Sequence, residues 1–338
     1  MSNDDAGGTS MTTTNLAQRV VRPGPWIFWI YLLLLTAAEL LSASSVPRSG
    51  LVLHATILVT LLIHAGLTSS VEERRLALGL ILAPMIRLLS LSLPLPSLPQ
   101  SLWYPTVAVP LLITTALIIR QVHVSPREIG LSGRGFLLQL PLAGIGIALG
   151  VVEYAILKPA PLIDARGWES ILLPALSLLI FTGLTEELIF RGLLQSVSPP
   201  VVGRLALVYV SLLFAVLHIG YRSVADFVFV FTVGLGFAFV VHWSGSILGV
   251  TLAHGVTNTT LFLVMPNLVQ HSVLQSRIVL ALAIVWGTVL AGVSTSIFIV
   301  RAGFKDELMV QEPRRGKARV DPELALVAHD SEPPPVAR

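Results

Sequence analysis

The chain has 338 residues, 54% of them hydrophobic and 12% charged, with a net charge of +3 and a mean hydropathy of +0.81. A soluble globular domain carries about 25% charged residues, so this sequence cannot coat itself with a polar surface. It reads as an all-α, polytopic membrane protein. The absence of cysteine excludes disulfides, Cys-ligated zinc, iron–sulfur clusters and thiol catalysis. The small net charge, confined to loops and tails, gives no footing for nucleic acid.

Residues 1–25 are polar and Thr-rich and are expected to form a disordered lead. Allowing about 20 residues per span places helices near 26–45, 51–69, 76–93, 102–120, 136–157, 170–195, 202–219, 226–243, 246–265 and 275–300. That is about ten transmembrane helices, or eight with two re-entrant segments. The first is read as a retained span rather than a signal-peptide core, with Trp26, Trp29 and Tyr31 suited to an interfacial anchor. The break Val124-Ser125-Pro126-Arg127-Glu128-Ile129-Gly130-Leu131 lies in a polar loop, 121–135. It divides the N-terminal helices of 26–120 from a transmembrane core of 136–300. The charged, Pro-rich tail 301–338 is expected to be disordered. An even number of spans puts most basic loop residues, among them Arg74, Arg75, Arg120, Arg127 and Arg204, on one side. Only Arg48, Lys158, Arg166, Arg222 and Arg277 fall on the other. The positive-inside rule then makes both termini cytoplasmic.

Thr185-Glu186-Glu187-Leu188-Ile189-Phe190-Arg191 interrupts this apolar pattern with two carboxylates and a guanidinium, after a charge-free run from Ile171. Each buried charge costs about 2.5–3.5 kcal/mol on insertion scales, so the group is either a structural clasp or a working site. Glu187 and Arg191 stand four apart and share a helix face, where they can form an ion pair. Glu186 is rotated by about 100° from Glu187, which leaves it free for chemistry. The next span carries Phe214-Ala215-Val216-Leu217-His218, and the ninth carries His254-Gly255-Val256-Thr257-Asn258. Taken singly, the histidines and Asn258 are as well explained by packing or interhelical hydrogen bonds. Taken together, a free carboxylate, two imidazoles and an amide suffice for water-mediated hydrolysis. A carboxylate and an imidazole are general bases toward water, and an amide donates to an oxyanion. The same Glu/His/His set suits a divalent metal with an open position for water. Gly255 allows a backbone or a substrate to approach closely.

Glu-Glu-x-x-x-Arg, Phe-x-x-x-His and His-x-x-x-Asn, in this order on apolar segments, resemble the CPBP or Abi family of intramembrane proteases, the type II CAAX prenyl endopeptidase-like proteins. The resemblance covers roughly residues 120–265, and Gly130-Leu131 looks like a short motif preceding that core. It implies an intramembrane endopeptidase acting on membrane-associated peptides or proteins in the lipid bilayer. By the same resemblance, Glu186 and His218 activate the attacking water or ligate a metal that does. His254 and Asn258 complete the site, while Glu187, Arg191 and Phe214 support it. The family is glutamate-type or metal-dependent; a metal such as zinc would take Glu186, His218 and His254 as ligands.

Several polar residues are assigned no chemistry. His54 and His64 read as packing or interfacial residues, Glu39 and Glu153 as charges reaching headgroups, and Arg87 as snorkelling or pairing with one of them. His242 reads as interfacial and is the best outsider for a site role. Gly234, Gly236, Ala238, Gly245 and Gly249 suit close helix packing. Two other function classes compete: a non-catalytic bacteriocin-immunity or scaffold protein, and a proton- or cation-coupled transporter. The transporter is disfavoured because no symmetric pair of broken helices appears.

Overall fold

The structure, a computed structural model, describes residues 24–133, 136–164, 168–270, 285–287 and 289. Among the described residues it is all helical, with nine long elements. These are α1 (Trp26–Ser42), α2 (Pro47–Leu67), α3 (Val71–Ser92), α4 (Trp103–Gln121) and α5 (Phe136–Leu157). They continue as α6 (Ser170–Val197), α7 (Pro199–Tyr221), α8 (Val224–Ser244) and α9 (Leu248–Gln270). Eight are long and apolar enough to cross a membrane; α1, at 17 residues, is shorter. The protein is therefore a polytopic helical membrane protein. The expected tenth span (275–300), the tail and nearly all of the lead lie outside the described residues, apart from a few positions.

Local chemistry sets the joints. Pro47 occupies the first helical positions of α2, where its missing N–H costs nothing. Ser70 caps α3 by accepting the Glu73 N–H at 3.2 Å, in the Ser-x-x-Glu spacing of a capping box. The 121–133 loop repeats the device: Glu128 Oε2 accepts from the Ser125 N–H at 2.8 Å and the Ser125 hydroxyl accepts from the Glu128 N–H at 3.3 Å. Those Ser125 hydrogen bonds hold the Glu128 carboxyl below the usual carboxylate range. Gly245 ends α8 in a left-handed conformation, φ +67°. It is a cap rather than the packing residue expected, and Gly236 faces open space.

Gly130 explains the short Gly-Leu motif. Its φ is +73°, and a Cβ there would stand 3.0 Å from the Ile247 backbone nitrogen. Its carbonyl accepts the Ile247 N–H at 3.0 Å, tying the loop to the start of α9. Gly130→Ala is expected to cost about 1–3 kcal/mol through left-handed strain and this clash, read as a lower thermal midpoint in detergent.

Two packing regimes hold the helices. One core joins α1, α2, α3, α6 and α7 through Phe28, Leu35, Leu61, Leu80, Phe190 and Leu213. Here Trp29 meets Tyr209 edge-on at 5.2 Å, and Tyr31 bonds His64 Nδ1 at 3.1 Å. Both face the bundle rather than an interface, which corrects the anchor role; Trp26 is 58% exposed. In the second regime α5, α6 and α9 approach at backbone distance. A Cβ on Gly150 would stand 2.5 Å from the Thr257 carbonyl oxygen, and one on Gly183 would stand 3.0 Å from the Gly255 nitrogen. Small residues allow that approach. The helix α6 is also not a uniform α-helix. π-helical turns at Leu179–Leu184 and Leu188–Leu194 bracket Thr185–Glu187, and α9 widens at Thr260–Val264. Such turns are rare and frequently mark functional sites.

Candidate active site

Glu187 is the hub of the polar cluster. It is fully buried, and its Oε1 accepts from Arg191 Nη1 at 3.0 Å and from His254 Nδ1 at 2.8 Å. The expected pairing of Glu187 with Arg191 is thus formed within α6, and the same oxygen bridges to α9. The Arg191 guanidinium carbon lies 4.2 Å from the centre of the Phe214 ring, which adds a cation–π contact from α7. A Cβ on Gly234 would come within 2.8 Å of Arg191 Nη2, so α8 closes over the guanidinium at a residue that has none.

This geometry sets the imidazole. A carboxylate only accepts, so His254 Nδ1 carries the proton and Nε2 presents its lone pair. Glu186 Oε2 stands 3.7 Å from that Nε2, and the Glu186 side chain is 30% exposed. That spacing is too long for a hydrogen bond, but it lets one water oxygen reach both atoms. His218 Nδ1 donates to the Phe214 carbonyl at 2.9 Å, so its Nε2 is likewise the acceptor. The Phe214 ring contacts both imidazoles, at 4.7 Å from His218 and 6.1 Å from His254. Asn258 donates from Nδ2 to Thr182 Oγ1 at 2.8 Å, one π-turn before the carboxylates.

Glu187, Arg191, Phe214, His218, His254 and Asn258 border one cleft. Phe229, Val230, Val233 and Phe237 of α8 supply its apolar wall. Seven of the residues singled out in the sequence therefore come together, with Glu187 paired to Arg191 as expected and Glu186 set beside His254 rather than His218. Glu186 adjoins His254 from beside the cleft rather than lining it, and among the described residues no ion-pair contact joins it to His218. Glu186, His218 and His254 do not converge as a metal-holding group among the described residues. His242 is exposed at the end of α8 and does not line the cleft.

Three polar residues that sequence reasoning set aside are tied to this region. Glu153 lines the cleft and is 7% exposed, rather than reaching headgroups. Glu39 is 1% exposed and is also not interfacial. It accepts from Arg87 Nε at 2.6 Å and lies 3.4 Å from His54 Nε2. Arg87 also donates to the Leu217 carbonyl, next to His218. The only signal for Glu153 was an acid one turn before the end of a 22-residue apolar helix. No local spacing announces the Glu39–Arg87 pair, whose members lie 48 residues apart.

No curated protein and no solved structure matches the chain. The stretch that carries all three motifs, residues 168–260, matches the model of one family, the type II CAAX prenyl endopeptidase Rce1-like proteins.

Proposed function

We propose that the chain hydrolyses peptide bonds of membrane-associated peptides or proteins, using water activated between Glu186 and His254. The observation that carries this reading is the line Arg191–Glu187–His254–Glu186 within the membrane-spanning helices α6 and α9, at 3.0, 2.8 and 3.7 Å. A buried, charge-balanced carboxylate holds the imidazole in one tautomer and aims its free nitrogen at a second, partly exposed carboxylate. A clasp alone needs Glu187 and Arg191; it does not need Glu186.

In this mechanism a water within hydrogen-bond reach of Glu186 Oε2 and His254 Nε2 gives its proton to the carboxylate and attacks the scissile carbonyl carbon. The tetrahedral oxyanion is met by the second amide N–H of Asn258, whose first is held by Thr182. Collapse breaks the C–N bond, and the proton taken from water passes to the departing amine. Glu187 stabilises the imidazole whenever Nε2 carries a proton, as a buried carboxylate does in other catalytic dyads. His218, held by the Phe214 carbonyl, presents an acceptor from the cleft wall to substrate N–H groups. No Ser or Cys nucleophile takes part.

The test is cleavage of a membrane-anchored reporter peptide by the purified chain in proteoliposomes, with product masses identifying the bond. Discrete cleavage at one peptide bond is expected. Absence of cleavage, together with a protective or binding phenotype that survives combined Glu186→Gln and His218→Gln substitution, would establish the scaffold reading instead.

A further inference from the structure

Glu153 projects into the cleft from α5 and belongs to none of the three motifs; it also lies outside the matched stretch of 168–260. It is 7% exposed, and among the described residues its carboxylate makes neither a hydrogen bond nor an ion pair. The other charges on the cleft wall are already balanced. Arg191 is committed to Glu187 at 3.0 Å, and Glu187 is further occupied by His254 at 2.8 Å. Glu153 is therefore the acidic group on the cleft wall that has no partner among the described residues. The remaining wall, Phe229, Val230, Val233 and Phe237, is apolar and offers no counter-charge.

Ionising a buried carboxyl group that has no partner is costly, so a cation placed beside it stabilises the carboxylate and is held by it in return. We propose that Glu153 recognises a cationic group of the substrate, an ammonium or guanidinium carried next to the scissile bond. The inference rests on the endopeptidase reading of the site and specifies its substrate class: a membrane-associated peptide with a basic side chain or a free amino terminus at this position. The apolar wall of α8 accommodates the hydrocarbon stem of such a side chain, as long basic side chains lie along apolar surfaces while their heads find charge.

The test uses the full chain in proteoliposomes and matched membrane-anchored peptides that differ only in lysine against norleucine near the cleaved bond. Each is made with a free and with an acetylated amino terminus. For the wild-type chain kcat/KM is expected to favour the cationic peptide by about 10- to 100-fold, and in Glu153→Gln the ratio falls to near one. Glu153→Lys should invert it toward a glutamate-containing peptide. If lysine makes no difference but acetylation does, the recognised cation is the amino terminus. A wild-type ratio near one in both comparisons, or a ratio unchanged in Glu153→Gln, overturns the proposal. The same ratios are measured as binding constants in the Glu186→Gln background. If nothing is cleaved by any form, the endopeptidase reading fails, and the binding ratios still decide whether Glu153 selects a cation.

Discussion

Glu186→Gln is expected to lower peptide cleavage by about 10⁴-fold while the thermal midpoint of the protein stays unchanged. The reason lies in the different surroundings of two adjacent carboxylates. Glu186 is 30% exposed and its sole ion-pair contact among the described residues is His254 Nε2 at 3.7 Å, so an amide of the same shape replaces it without stranding a buried charge. It removes the base that takes the proton from water. Glu187→Gln should behave differently. It strands Arg191, 2% exposed, inside the bundle, at a cost of about 3–5 kcal/mol for breaking a buried pair. It also releases the His254 tautomer, for which a loss of about 10⁴-fold in kcat is the precedent in another carboxylate–histidine system. The two variants therefore separate on one plot of activity against thermal midpoint. Glu186→Gln loses activity alone, and Glu187→Gln loses both. Full activity in Glu186→Gln would remove Glu186 from the chemistry, and an unchanged midpoint in Glu187→Gln would remove the clasp.

What the sequence could reveal of this site follows from which interactions are local. The pairing of Glu187 with Arg191 is an i, i+4 contact inside one helix, so spacing alone exposes it. The motifs likewise place His218, His254 and Asn258 on apolar segments whose helical character follows from composition. The bridge from Glu187 to His254 spans 67 residues, and nothing in either segment states which carboxylate meets which imidazole. The resemblance sets Glu186 with His218; the structure places His254 Nε2 3.7 Å from Glu186, where α6 and α9 approach at Gly183 and Gly255. Glu153 and Glu39 depart from the interfacial expectation for the same reason. An acid near the end of an apolar run reads as interfacial until its neighbours are known, and those neighbours come from other helices. The π-turns around Thr185–Glu187 also have no residue signature that distinguishes them from ordinary helix. Helix position is more legible. The nine described helices follow the expected spans to within a few residues at most ends, because hydrocarbon thickness sets length directly.

Gly255→Val is expected to be the most damaging single change outside the polar residues. A Cβ at Gly255 would stand 2.9 Å from the Leu179 Cα, a backbone atom that has no rotamer to escape into. Even Gly255→Ala must push α6 away from α9, and overpacking of this kind costs about 1–3 kcal/mol; the β-branched side chain of valine adds to it. The consequence for activity is larger than that figure suggests. His254 precedes Gly255, and its 2.8 Å bond to Glu187 crosses the very interface that would open. A misplacement of about 1 Å at such a site is worth about 100-fold in rate, so Gly255→Ala should lose activity before it loses fold. Gly236→Ala is the matched control. Gly236 lies within α8 and a Cβ there meets no atom within 4 Å, so alanine gains about 0.8–1.0 kcal/mol of helix propensity without a clash. Measured together in proteoliposomes and by thermal unfolding, the two alanine variants should diverge in sign as well as size. Equal behaviour would mean that the close approach of α6 and α9 does not hold His254 against Glu187.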